Sequence, residues 1–449
     1  MAGEQNKSTF AGSIMRGDSK IWIIYVVLIC ISFVEIFSAT AQLANKAANA
    51  SDPAVSHIKN LFVGFIVLLL TQSMSLKSFR AWDKTLYVLG LILFVVTIAM
   101  GTQQKGAARS IAGFQPVELC KIGAITMLCA AVTAKDYTFQ RISYYRSRTE
   151  YRRFWLYIIL IGLVAAPVAT QNLSSALIIC MACFGILFIA GVKGKYLINT
   201  ILIGSVLGGL FLGSLFIVYK TNHREIDTEQ TEAASGFALD KVLGRATTWA
   251  NRLYDHSDIP LWQEDMSGKK SQEIYSHMAI ANGYPFGQFI GRSRLRDFLP
   301  EAFSDYIFAI IFEEWGFIPA SLIPLLYLLL LARCYYLSRQ TEDMYIRLIL
   351  IGLPLIMVIQ ALIHIGVSTG AMFVTGQPLP LISRGGSSII ATSASIGMML
   401  ALSRLIMQEK NEREAALAIQ PSSEQEEAVD QSVTEKEAPI IQMTTNVQE

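Results

Sequence analysis

Four carboxylates crowd one stretch of the chain, Leu299-Pro-Glu-Ala-Phe-Ser-Asp-Tyr-Ile-Phe-Ala-Ile-Ile-Phe-Glu-Glu-Trp315. Glu301 and Asp305 precede an apolar run, and Glu313 and Glu314 lie inside it. Charge next to hydrocarbon is costly, so an ionisable residue in such a setting is a candidate for function. A carboxylate at the mouth of a helix could act as a general base. It could equally cap the helix and complement its dipole, the bland reading of Asp305 or of Ser304 before it. Glu118 and Lys121 are three residues apart and share a helical face, as an ion pair or as part of an anion site. Gly376-Gln-Pro-Leu-Pro-Leu-Ile-Ser-Arg-Gly-Gly-Ser-Ser388 joins small residues, including Ser387 and Ser388, to the fixed charge of Arg384. Backbone N–H groups and a guanidinium in one loop suit an anion; a re-entrant turn that starts a helix is the other reading. Lys105-Gly-Ala-Ala-Arg109 is basic and small, which suits a phosphate. His364 is either a site residue or an interhelical donor.

The elements that hold these residues are membrane helices. The 449 residues are 53% hydrophobic and 16% charged, with a mean hydropathy of +0.43, a membrane composition. A net charge of +2, with no basic stripe interleaved with aromatics, points away from nucleic acid. A span needs about 20 apolar residues. Ten segments qualify, at 21–40, 57–76, 85–101, 117–134, 154–170, 173–192, 196–219, 305–333, 347–368 and 387–406. Ala39-Thr40-Ala41 mimics a signal-peptidase site, but the apolar run from Ile21 is longer than a signal-peptide core and predicts a first span. The six cysteines lie in or beside apolar runs, including the Cys180/Cys183 pair, and read as small buried hydrophobes.

Lys and Arg in the short loops set the orientation. Lys7, Arg16 and Lys20, then Lys77, Arg80 and Lys84, then the group from Lys135 to Arg153, then Lys193 and Lys195, then Arg333, Arg339 and Arg347 fall on one side if the N-terminus is cytoplasmic. The predicted fold is an all-α polytopic membrane protein with about ten spans and both termini cytoplasmic. A cytoplasmic segment covers 1–20 and the transmembrane domain 21–406. A large extracytoplasmic loop covers about 220–304, between spans 7 and 8, and an acidic disordered tail 407–449. Phe237–Leu253 is amphipathic and predicts a stretch on the membrane surface.

In this orientation the buried charges are one-sided. Glu35, Glu118, Lys121, Asp305 and His364 fall near the outer ends of their spans. Glu313 and Glu314 lie roughly 12–14 Å below Asp305 at 1.5 Å per residue. A transport path would place groups near the midplane, whereas a site open to the outer face needs none there.

The order of motifs resembles the SEDS family, the FtsW/RodA group. Lys105 to Arg109, Phe114-Gln-Pro-Val-Glu-Leu-Cys-Lys121, Leu299 to Phe308, Glu313-Glu-Trp-Gly316 and Thr375 to Ser388 carry it, across about 20–406. The resemblance implies a peptidoglycan glycosyltransferase that joins lipid II into a lipid-linked glycan strand outside the plasma membrane, with a class B penicillin-binding protein as partner. It implies Asp305 as the essential acid and catalytic base. Arg109, Glu118, Lys121, Arg384, Ser387 and Ser388 would line the substrate, and Glu313, Glu314 and His364 would brace the cavity. A leaving lipid pyrophosphate needs positive charge, which Arg109, Lys121 and Arg384 could supply, with or without a divalent cation such as Mg or Mn; no His/Cys cluster in the sequence demands a metal. The alternative is a lipid II flippase without chemistry. Ser110, Arg384, His364 and Gln171-Asn-Leu-Ser-Ser-Ala176 depart from the family's usual residues. The Leu299-Pro-Glu-Ala302 run and the tail lean towards a role in division rather than elongation.

Overall fold

A computed structural model describes residues 15–46, 52–100, 102–104, 107–110, 114–134, 146–225, 271–299, 303–372 and 375–419. The helices are α1 Ser19–Lys46, α2 Asp52–Gln72, α3 Leu76–Met100, α4 Pro116–Thr133, α5 Arg146–Gln171, α6 Leu173–Ile189, α7 Gly194–Glu225, α8 Ser271–Gly283, α9 Ile307–Trp315, α10 Phe317–Ser338, α11 Met344–Ser368 and α12 Gly386–Ile419. A short antiparallel hairpin pairs β1 Thr102–Gln104 with β2 Ala107–Ser110, a detail that an all-helical expectation omits. Among the described residues eight helices are long and apolar enough to cross a membrane; α6 and the start of α7 are shorter apolar helices. All ten predicted spans therefore fall on helices.

The boundaries move in three places. Helix α3 begins at Leu76, not at 85. Lys77 and Lys84 lie on its exposed side, while Asp83 turns inward and accepts the Tyr345 hydroxyl at 2.6 Å. Helix α12 runs past 406 to Ile419, and the ion pairs Arg413–Glu409 and Lys410–Glu414 are spaced to support that extension. The predicted span 305–333 is two helices, broken at Gly316. Phe237–Leu253 and the tail beyond 419 lie outside the described residues.

Helices α11 and α12 form the centre. Their most apolar windows are 72% and 78% buried, against 28% for α2, α3 and α10, which turn most of their side chains outward. Hydrocarbon supplies no hydrophobic drive between spans, so close packing must hold them together. The α2–α12 contact is an example: a Cβ on Gly397 would lie 1.9 Å from Thr71 Oγ1 and 2.7 Å from the Leu68 carbonyl.

One end of the bundle gathers the basic residues. Arg333 pairs with Asp18, Arg80 with Asp343, and Arg404 donates to the Met74 carbonyl at 3.1 Å. Burial pushes the Asp18 carboxyl up, but Arg333 and the Ile21 and Lys20 amides outweigh it and leave the group below its ordinary range. The opposite end carries the candidate site.

Candidate functional site

Residues 375–385 run as an irregular segment between α11 and α12 that closes in a turn at 379–383, and the bundle grips it by its carbonyls. His364 Nδ1 donates to the Gln377 carbonyl at 2.7 Å. Gln360 Nε2 donates to the Pro378 carbonyl at 2.7 Å. The Tyr327 hydroxyl donates to the Pro380 carbonyl. Ser32 Oγ donates to the Ile382 carbonyl at 3.2 Å. Prolines at 378 and 380 cannot donate N–H, so the segment cannot join a regular ladder; its carbonyls must find donors elsewhere. Three helices, α1, α10 and α11, supply them. Leu381 sits at φ 64 within this grip, an uncommon conformation for a residue with a Cβ that the surrounding bonds hold in place.

The Asp305 turn is stitched to the same segment. The Arg384 N–H donates to the Phe303 carbonyl at 2.9 Å, and Ser383 Oγ donates to the Ser304 carbonyl at 2.8 Å. The Arg384 guanidinium lies 5.0 Å over the Phe303 ring, a cation–π contact. Asp305 itself is half-buried and accepts the Ser304 hydroxyl at 3.2 Å. It does not start a helix, as the sequence predicted. Helix α9 begins at Ile307, its N-cap is Tyr306, and no side chain caps it. The two motifs that are far apart in sequence thus form one wall, with the carboxylate of Asp305 and the charge of Arg384 on adjoining strips of backbone.

Lys121 belongs to that wall from the other side. Its Nζ donates to Glu118 Oε1 at 2.9 Å and to Gln360 Oε1 at 2.8 Å. The Lys121 and Glu118 side chains are 4% and 6% exposed, so the pair is buried, and the Gln360 amide links it to the Pro378 carbonyl. His364 lies one turn beyond Gln360 on α11. Sequence reasoning did not single out Gln360, and it quoted the stretches holding Gln377, Asn172 and Ser175 without giving those three residues a role. Gln377 Nε2 donates to Ser175 Oγ at 2.9 Å and to Asn172 Oδ1 at 3.2 Å. The stretch 171–176, which departs from the family's usual residues, therefore still reaches the site. Gln360 had a legible signal: it is a lone amide in an apolar run, four residues before His364 and on the same face.

Glu313 and Glu314 are held apart from this wall, at the far end of α9. There the loop 282–296 wraps them. Asn282 Nδ2 donates to Glu313 at 2.8 Å, the Arg294 N–H to Glu313 at 3.2 Å, and the Gly291 N–H to Glu314 at 2.8 Å. Ser293 Oγ also donates to Glu313, and Ser38 Oγ to Glu314. Arg296 sits 3.7 Å from Glu314 and donates to the Ser38 carbonyl at 3.0 Å. Both carboxylates are spent on tying loop to helix. Gly316, at φ 83, makes the break below them; a Cβ there would lie 2.5 Å from the Phe286 carbonyl carbon. Ser387 and Ser388 are buried in the first turn of α12, and Ser388 Oγ has no hydrogen-bond partner among the described residues. Arg109 is on β2; its side chain, and Lys105, lie outside what is described.

This fold and site define a multi-pass membrane protein whose buried polar residues converge on one end of the bundle around a half-buried carboxylate. The family model of the FtsW/RodA/SpoVE cell cycle proteins matches residues 18–408, and the chain belongs to that family. It is 28% identical over 399 residues to the stage V sporulation protein E of Bacillus subtilis (strain 168), covering 86% of this chain and 97% of that one. It is 24% identical to the peptidoglycan glycosyltransferase MrdB of Escherichia coli (strain K12), covering 90% and 97%. Among solved structures it shares the fold of a chain described under "Structural coordination of polymerization and crosslinking by a peptidoglycan synthase complex", with a TM-score of 0.62, 23% identity, and 87% and 99% coverage. These matches place the protein in the bacterial inner membrane.

Proposed function

We propose that this protein is a peptidoglycan glycosyltransferase that polymerises lipid II, with Asp305 as its catalytic base. Family membership and the relative named peptidoglycan glycosyltransferase support the reaction class. The observation that carries the site assignment is the Asp305 turn: it is bonded to the 375–385 segment, while α9 goes without a side-chain cap. The bland reading of Asp305 as a helix cap is thereby weakened.

In this mechanism a sugar hydroxyl attacks the anomeric carbon of the lipid-linked chain. The new C–O bond forms as the bond to the pyrophosphate oxygen breaks, and that oxygen leaves with the electron pair. Asp305 takes the hydroxyl proton within hydrogen-bond reach. Lys121 and Arg384 in the wall, with Arg109 on β2, are the cations assigned to balance the developing charge. Among the described residues no three His, Cys, Asp or Glu gather to hold a metal. A magnesium or manganese ion beside Asp305 would add positive charge against the leaving pyrophosphate.

The basic end of the bundle is assigned to the cytoplasm by the positive-inside rule, which puts Asp305 outside. The proposed partner is a class B penicillin-binding protein, docking its single span on α10 and α11. An apolar groove of about 330 Å³ lies there, lined by Ile189, Leu328, Leu331, Tyr335, Ile351 and Leu355. The matched peptidoglycan synthase complex, which coordinates polymerisation with crosslinking, supports such a partner.

Purified protein incubated with lipid II tests the reaction. Glycan strands are expected, and faster with the cognate transpeptidase present. Movement of lipid II across a vesicle bilayer with no polymer formed would instead establish a flippase.

A further inference from the structure

The loop between α8 and α9 has a second face, turned away from Glu313 and Glu314. It exposes Tyr284, Phe286, Phe289 and Ile290, with Phe286 and Phe289 89% and 74% accessible. Aromatic rings left in water at this density are unusual for a polar loop. The loop is not loose. Three of its amides, at Gly291, Ser293 and Arg294, end on the two glutamates. The backbones of Gly283 and Gly287 lie against those of Phe312 and Gly316 too closely for a Cβ at either glycine. Phe289 keeps φ at 70 despite its Cβ, strain that the anchored ends impose.

Its depth follows from its contacts. The Phe317 N–H donates to the Pro285 carbonyl at 3.0 Å, and the Tyr284 and Phe317 rings meet edge to face at 6.1 Å. Phe317 is the first residue of the span Phe317–Ser338, and Phe317 and Ile318 face outward on it. The loop therefore sits where that span leaves the hydrocarbon. Arg292 lies 6.0 Å over the Phe289 ring, so a guanidinium accompanies the aromatics. Apolar rings flanked by the amphipathic Tyr284 and a cation suit the boundary between hydrocarbon and headgroups.

We infer that the aromatic face of loop 284–292 inserts among the phospholipid headgroups at the membrane surface beside α10, with Arg292 on a lipid phosphate. This contact fixes the depth of the Glu313–Glu314 end of α9, and through that helix the height of the Asp305 turn above the bilayer. Only the leaflet depends on the orientation proposed above; the insertion does not.

Fluorescence quenching tests the contact without reference to catalysis. In a Cys30→Ala background, Phe286→Cys carries a bimane label in nanodiscs of phosphatidylethanolamine and phosphatidylglycerol. Lys410→Cys, exposed on the far end of α12, is the aqueous reference. Lipid spin-labelled near the headgroup is expected to quench the label at 286 several-fold more than at 410, and iodide the reverse. Equal iodide quenching at both positions would overturn the inference. So would protection at 286 from both quenchers, which would mean that another part of this chain covers the face. Adding the cognate transpeptidase should leave the lipid quenching unchanged; its loss would give the surface to the protein partner instead.

Discussion

Lys121 is the most informative residue to perturb, because it serves two roles that can be separated. Its ammonium neutralises Glu118 and donates to Gln360, all within a buried wall. Lys121→Met leaves a buried carboxylate without its partner, a loss of about 3–5 kcal/mol for breaking a buried pair from one side. Glu118→Leu strands the ammonium and should cost a similar amount. The double variant Glu118→Leu/Lys121→Met removes both charges and keeps apolar volume, so the ionic penalty disappears. What remains is the Gln360 oxygen without a donor, about 1–3 kcal/mol. The double variant should therefore be more stable than either single one by about 2 kcal/mol, and its cost should fall well below the sum of the two single costs. Denaturation midpoints of the purified proteins in one detergent measure the order. Polymerisation of lipid II, measured on the same samples, should stay absent in all three, since the cation is gone from the site or left without its positioning carboxylate. A double variant that regained activity with its stability would show the pair to be purely structural and refute the assignment of Lys121 to substrate. A double variant no more stable than the singles would refute the electrostatic account of the wall.

Asp305→Asn should keep the folded stability within about 0.5 kcal/mol, as expected for a residue outside the packed core and outside a cap, yet abolish glycan synthesis; the two readouts are a denaturation midpoint and lipid II polymerisation. Gly316→Ala must place a Cβ against the 285–287 backbone at φ 83. A cost above about 1 kcal/mol is expected from the backbone alone, because φ 83 with ψ −179 is a conformation essentially restricted to glycine, with loop 282–296 more open to protease than in the parent protein. Reporter fusions near 145 and 260 should read cytoplasmic and extracytoplasmic respectively, as the Lys/Arg alternation dictates; the opposite result at 260 would move Asp305 to the inner face.

Much of this protein was legible in the sequence because membrane spans are written locally. About 20 apolar residues in a row suffice to mark a helix that hydrocarbon will accept, and the described residues place a helix on each of the ten predicted runs. The ionisable residues within those runs were equally visible, since composition alone makes them exceptional. Apolar runs are poor at marking boundaries. Leu76 begins α3 well before the run turns fully apolar, because charged side chains on its exposed face leave the backbone helical. The 305–333 run hides a break, because Gly316 matters through its φ and through the loop pressed against it, not through hydropathy.

Apart from the local Glu118–Lys121 pair, partnership between residues was decided by the tertiary structure. Nothing local pairs Glu313 with Ser293, or Gln360 with both Lys121 and Pro378. Sequence could name Asp305 as either cap or base; only the fold shows its turn bonded to residues 383 and 384 with the helix start uncapped. The reason is physical. A span is specified by its own transfer from water to lipid, residue by residue. A polar site inside the bundle is specified by which buried donors meet which buried acceptors, and those meetings join helices hundreds of residues apart.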